Sequence, residues 1–278
     1  MKTLLGRLKD RGALAGSLVR WGLVPYQIMR GERRPGVLIL MYHRIGGGTR
    51  SEIDLGASAF ERQIVHLRRR YRIISLDEVA GLRPFDAAAR RDLVVVTFDD
   101  GYEETYTTVY PVLRRLGIPA TVYVPARYIE DGRPFDFGVH RHTDPSQRPR
   151  PITWEQASEM VRSGLITIGA HTSTHVDLSL ASPPQALREI EEGDRLIEAR
   201  LGIRPIHFAY PWGRWSLETH RLVASRYRTV GLGGPGKNIY VDLDPSRLWR
   251  YPVIQSEGYW LFRIRLSAPP VRRGAAWN

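Results

Sequence analysis

Cysteine is absent from all 278 residues, which removes a disulfide framework, a thiolate metal cage and a cysteine nucleophile together. Any metal must then be held by His, Asp or Glu. Long apolar runs are missing as well: the longest, such as Val37 to Tyr42, fall far short of the ~18 residues a membrane span needs. At the N-terminus Lys9, Asp10, Arg11 and Arg20 interrupt the apolar residues and no small-residue cleavage site follows them, so a cytoplasmic protein is expected. No repeat, low-complexity tract, zinc-finger, helix-turn-helix or RNP-type pattern is visible, and nucleic acid is not an expected partner. With 42% hydrophobic residues the chain can bury a full core, as one α/β barrel or as two smaller domains.

Acidic residues are in the minority, and the formal net charge is +12. Half of that excess sits in residues 1–34, which hold eight basic and two acidic side chains. Such concentration suggests an arm that touches an anionic partner. Projected as a helix, residues 4–23 set Leu4, Leu5, Leu8, Ala15, Leu18, Val19 and Leu23 on one side and Lys2, Lys9, Asp10 and Arg20 on the other, with Arg11 intruding on the apolar face. Two readings stand open: a helix in peripheral contact with an anionic membrane, or a helix docked on the protein's own core.

From residue 36 short apolar runs alternate with helical periodicity. Strand-like runs are Val37–Tyr42, Arg72–Ser75, Leu93–Phe98, Ala120–Val124, Leu165–Gly169, Ile206–Tyr210 and Arg228–Gly231. Amphipathic segments lie near 58–70, 104–116, 154–163, 184–200 and 216–226. This alternation predicts parallel strands joined by crossover helices, an α/β fold. Residues 126–152, rich in proline and without a period, predict a lid, a binding loop or a disordered insertion; His140 and His142 within it read as solvated loop residues.

Polar constellations stand directly after the apolar runs: His43, then Asp99-Asp100-Gly101, then His171, then Tyr210-Pro211-Trp212-Gly213. In a parallel barrel all strand C-termini open on one face, so these residues would converge. His171 and His175, four apart, present both imidazoles to one point if the chain makes a helical turn. Adjacent Asp99 and Asp100 bring two like charges together, which a cation or a proton must relieve. Two histidines and one carboxylate make the ligand count of a catalytic zinc site, and the other carboxylate is then free to act as a base. The turn at Tyr210–Gly213 offers backbone N–H groups to an oxyanion. Trp154, Trp212, Trp215 and Tyr102 are candidate stacking surfaces for a sugar ring, and each also suits core filling.

The motifs Thr97-Phe98-Asp99-Asp100-Gly101-Tyr102, His171-Thr172-Ser173-Thr174-His175 and Phe208-Ala209-Tyr210-Pro211-Trp212-Gly213 resemble the first three motifs of the polysaccharide deacetylases, the NodB-homology enzymes of carbohydrate esterase family 4. The resemblance implies a distorted (β/α)7 barrel and a divalent metal, zinc first, with Co2+ or Ni2+ as alternatives. It implies Asp99 as general base, Asp100, His171 and His175 as metal ligands, and the Trp212 N–H as oxyanion donor. Two features depart from the pattern. Ala209 stands where many members carry the arginine that orients the base, and no histidine follows His220 to supply the usual acid. However, Leu40-Met41-Tyr42-His43-Arg44-Ile45 resembles the start of the circularly permuted poly-N-acetylglucosamine deacetylase branch, which implies His43 as the acid. Arg250 is a candidate substitute for the missing arginine.

The expected organisation is a basic amphipathic arm over residues 1–35 and a deacetylase barrel over 36–278. Its expected activity is metal-dependent N-deacetylation of an N-acetylhexosamine glycan or lipid-linked saccharide. The alternatives are a catalytically weak glycan-binding module and a metal hydrolase of another amide, imide or ester.

Overall fold

The computed structural model describes residues 34–82 and 91–267; the arm up to Arg33 lies outside them. Seven strands form the centre: β1 Gly36–Tyr42, β2 Leu93–Phe98, β3 Ala120–Val124, β4 Ile166–Ala170, β5 His207–Ala209, β6 Thr229–Leu232 and β7 Leu248–Pro252. Each pairs in parallel with its chain neighbours, and β7 returns to β1 through Ile39–Arg250 and Leu40–Tyr251. The barrel is therefore closed, as the (β/α)7 expectation requires. Its distortion is visible in the pairing: β4 and β5 share the single pair Ala170–Phe208, and β2 gives its first two residues to the edge strand Arg72–Ile73 and only its last two to β3.

Helices α1 Ala57–Arg70, α2 Leu76–Gly81, α3 Tyr110–Leu116, α4 Ala126–Asp131, α5 Trp154–Arg162, α6 Pro183–Leu201, α7 Leu217–Ala224 and α8 Gly258–Ser267 complete the architecture. Several start where the sequence supplies a cap: Ser75, Thr153 and Ser216 each close a capping box with the residue three positions on, satisfying N–H groups that the first helical turn leaves orphaned. None of the described helices is long and apolar enough to cross a membrane.

Successive strand residues point to opposite faces, and the core splits accordingly. Leu38, Leu40, Tyr42, Val94, Val96 and Phe98 join the layer beneath α1, where Phe60, Ile64 and Leu67 form the buried stripe. Val37, Ile39, Leu93, Val95, Tyr123, Ala209 and Leu248 form the separate core inside the barrel. Carried one step further, the inward register contains Asp99 just after β2, His171 just after β4 and Arg250 on β7. Small residues leave the space that these large groups need. A Cβ on Gly231 would sit 2.7 Å from Arg250 Nε, and one on Gly169 would sit 2.5 Å from the Tyr123 ring.

One buried carboxyl outside the barrel makes stability pH-dependent. Asp194 on α6 accepts a 2.7 Å hydrogen bond from Tyr227, yet burial outweighs that bond and raises its pKa to about 6. The fold favours the protonated acid, whereas the unfolded chain releases the proton near the ordinary value. Stability from this group is thus full below about pH 4 and is lost as pH rises through about 6. Asp194→Asn keeps an acceptor for Tyr227 and is expected to gain about 2–3 kcal/mol over wild type at pH 8, with little gain at pH 4. Urea unfolding at both pH values checks this; an equal shift at both would assign the effect to packing.

Candidate active site

At the C-terminal mouth of the barrel lies a cavity of about 460 Å3, lined by Met41, His43, Ile53, Asp99, Asp100, Tyr102, Phe137–His140, His171, His175, Trp212, Gly213, Gly233 and Gly234. Among the described residues four non-glycine residues have positive φ, and all belong to the motif segments there: Asp100 (71°), Thr172 (63°), His175 (61°) and Trp212 (62°). Side chains other than glycine adopt this region at a cost, and such residues cluster where function over-determines the backbone.

Asp99 and Asp100 are separated by that backbone turn. Asp99 keeps the inward direction of β2, and its N–H is fixed to Tyr42 O at 2.9 Å. Arg250, 1% exposed, grips it with two parallel bonds, Nη1 to Oδ1 at 2.5 Å and Nη2 to Oδ2 at 2.8 Å. Burial alone would raise the Asp99 carboxyl; Arg250, together with His171 and His43, outweighs this and holds it below its ordinary value. Arg250 in turn lies 5.2 Å from the Tyr123 ring centroid and donates from Nε to Leu232 O at 3.4 Å. Arg250 thus reaches Asp99 from β7, whereas Ala209 stands on β5.

Asp100 faces the two histidines instead. Its Oδ1 is 3.1 Å from His175 Nε2 and 3.6 Å from His171 Nε2. Those two imidazoles and Asp100 form the one group of metal-ligating side chains found among the described residues, with donor atoms within 4.8 Å of one another. His171 Nδ1 is 2.7 Å from Ala209 O; a carbonyl only accepts, so Nδ1 carries the proton and a neutral ring turns its Nε2 lone pair toward the carboxylate. Asp100 Oδ1 itself is buried without a hydrogen-bond partner. A buried anionic oxygen facing a nitrogen lone pair is repulsive by itself and is resolved by a cation between them, so the donor set fits a divalent metal. Burial would raise the Asp100 carboxyl; positive charge at the facing His175 and His171, with His43, holds it well below the carboxylate range, and where the two rings are neutral that positive charge is supplied by a cation between them. Burial also lowers the His175 imidazole, against the opposing pull of Asp100, which favours the neutral ring a metal requires.

The histidines do not meet through a helical turn, which corrects that part of the sequence reading. The segment is an irregular loop whose left-handed Thr172 and His175 fold it back. Glu189 on α6 holds the loop by accepting from Thr174 N and Oγ1, both at 2.8 Å. His175 stacks on Phe137, ring centroids 3.8 Å apart.

Other candidates are placed as follows. His43 and Tyr102 line the cavity, and so does Trp212, 44% exposed, whose indole packs edge-on to His175. Tyr210 does not line it: its N–H goes to Gly231 O, its hydroxyl meets His220 Nδ1 at 3.1 Å, and the ring is fully buried. Trp154 donates to Glu130 at 2.9 Å outside the cavity, and Trp215 packs on His220 and Tyr210. None of these three is among the residues that line the cavity. His142 is exposed as expected, but His140 is not solvated: it is buried, its Nε2 lies 2.9 Å from the Tyr102 hydroxyl, and it forms part of the wall. The only signal for it in the sequence was Phe135 and Phe137, whose rings pack with Tyr102 and Tyr128 and fold the proline-rich loop inward.

The site has three side chains placed so that they could hold a metal, and an arginine-held carboxylate, at the mouth of a (β/α)7 barrel. The polysaccharide deacetylase family model matches residues 86–229, and this chain belongs to that family. It is 28% identical over 249 residues to the Bacillus subtilis polysaccharide deacetylase YxkH, covering 89% of this chain and 76% of that protein. Against the poly-beta-1,6-N-acetyl-D-glucosamine N-deacetylase of Escherichia coli K12 the identity is 29% over 140 residues, 49% of this chain and only 20% of the larger enzyme. Among solved structures, Streptococcus pyogenes deacetylase PplD superposes with a TM-score of 0.69 at 22% identity, over 84% of this chain and 98% of that one. IcaB from Ammonifex degensii gives 0.69 at 24% identity, over 84% and 97%. These two likenesses establish the shared fold.

Proposed function

We propose that this deacetylase hydrolyses the acetamide of an N-acetylhexosamine residue in a glycan or lipid-linked saccharide, and that it does so with a bound divalent cation, zinc first. The observation that carries the reading is the division of labour between adjacent aspartates: Asp99 is bound by Arg250, and Asp100 faces His171 and His175. Asp100, His171 and His175 would hold the cation, which when bound polarises the acetyl carbonyl and makes water more acidic. Asp99, kept ionised and oriented by Arg250, accepts a proton from the attacking water as its oxygen bonds to the carbonyl carbon. The Trp212 backbone N–H, at the cavity wall, donates to the developing oxyanion. His43 protonates the nitrogen as the C–N bond breaks, releasing acetate and a free amine. The exposed Trp212 indole offers a surface to the sugar ring, whereas Tyr102, though it lines the cavity, is only 1% exposed.

The test is release of acetate and of free amine from N-acetylglucosamine oligomers, from poly-β-1,6-N-acetylglucosamine and from lipid-linked N-acetylhexosamine. Activity is expected on at least one of these, lost after chelation and restored by Zn2+, Co2+ or Ni2+. Indifference to chelation, or acetate released only from esters, would overturn the reading.

A further inference from the structure

Helices α1 and α8 pack against each other on the side of the barrel and frame a second cavity of about 610 Å3 that shares no lining residue with the first. Arg62, His66, Arg69, Arg70, Tyr259 and Arg263 line it. Its one acidic lining residue, Glu61, is engaged by Arg115 at 2.6 Å. Among the described residues none of the four arginines has an acidic partner within ion-pair distance. The resulting field is felt by His66, whose imidazole is pushed down by burial and then by Arg263 and Arg70.

Apolar side chains project beside this charge. On α8 Trp260 is 70% exposed and Ile264, one turn later, 42% exposed. The Arg263 guanidinium lies 4.9 Å from the Trp260 ring and 5.7 Å from that of Tyr259, so cation and indole form one surface. A soluble anion would be satisfied by the arginines and would leave the indole and Ile264 without a role. A membrane surface uses both, because phosphate headgroups meet the guanidinium groups while tryptophan settles at the boundary with the acyl chains. Charge complementarity therefore selects an anionic bilayer.

We infer that the α1–α8 face is a binding site for the phosphate-bearing headgroups of anionic membrane lipids, with Trp260 and Ile264 inserting beside them. The inference does not depend on the reaction catalysed, nor on the basic N-terminal segment. It is tested with the full chain by co-sedimentation with phosphatidylcholine vesicles, with and without about one third phosphatidylglycerol. Wild type should bind only the anionic vesicles, and more weakly as salt rises. Arg69→Gln with Arg263→Gln should weaken binding about 25-fold, from roughly five-fold per arginine near the surface, with the melting temperature reported alongside. Trp260→Ala should also weaken it and abolish a blue shift in fluorescence, although every charge is retained. Unchanged binding in these variants would overturn the site, as would equal binding to neutral vesicles. Displacement from vesicles by soluble glycerol phosphate at the lipid's own concentration would reassign it to a free phosphate and likewise overturn the proposal.

Discussion

Asp99→Asn is expected to lower turnover on an N-acetylated saccharide by on the order of 10²–10⁴-fold while leaving bound metal near the wild-type level. Asparagine has nearly the same shape but cannot accept the proton of the attacking water at neutral pH. It touches none of the metal-ligating atoms, which belong to Asp100, His171 and His175. Asp100→Asn should show the converse, with metal lost and activity lost with it. A complication lies in Arg250: removing the carboxylate charge leaves this guanidinium, 1% exposed, without its partner. Breaking a buried pair in this way costs about 3–5 kcal/mol. Asp99→Asn with Arg250→Gln removes both charges and should recover part of that stability without recovering turnover, which separates lost chemistry from lost folding. Metal analysis and thermal unfolding of the three variants decide the matter. Metal lost from Asp99→Asn and kept in Asp100→Asn would reverse the two roles.

What was legible in the sequence follows the inward register of the barrel. Asp99, His171 and His43 stand at the ends of predominantly apolar runs, so both their strands and their common face could be read. The strand β7 carries the same kind of information in a form that hides it. Arg250 breaks its apolar run because it points into the barrel, and Pro252 closes it, so the segment reads as a motif without a strand. Arg72–Ser75 misleads in the opposite direction: it has an apolar pair, but only Arg72 and Ile73 join the sheet, at the edge, before Ser75 caps α2. From spacing alone His171 and His175 could be brought together only on the condition of a helical turn, because a left-handed Thr172 has no signature in composition. The aromatics divided for a similar reason. Trp212 and Tyr210 are two residues apart, and only the positive φ of Trp212 turns the chain so that one lines the cavity while the other fills the core. His140 shows how tertiary packing overrides a local reading: its loop has no periodicity, and the phenylalanines that fold it inward find their partners in Tyr102 and Tyr128.

His43→Ala is expected to keep metal bound and to lose roughly 10²–10⁴-fold in turnover on an acetamide, but less than about tenfold on an activated acetyl ester. The difference comes from the leaving group. An amine is too basic to depart without a proton, whereas a nitrophenolate departs without one. Two histidines line the cavity apart from the ligands, His43 and His140, and their surroundings differ. His140 already has Nε2 against the Tyr102 hydroxyl, and burial lowers its pKa, so it is chiefly neutral and engaged. No side-chain hydrogen bond of His43 is found among the described residues, and it shares the cavity wall with Asp99 and Asp100. Its backbone is anchored on both sides, by Asp99 N donating to Tyr42 O and by Arg44 N donating to Ile53 O, so the ring is presented to the cavity from a fixed base. His140→Ala should therefore cost much less on the amide and show no preference between the two substrates. Amide and ester rates for both variants, with metal content measured on the same samples, make the comparison. Equal losses on amide and ester in His43→Ala would show that His43 positions the site without donating a proton, and an amide-selective loss in His140→Ala would move the acid to that residue.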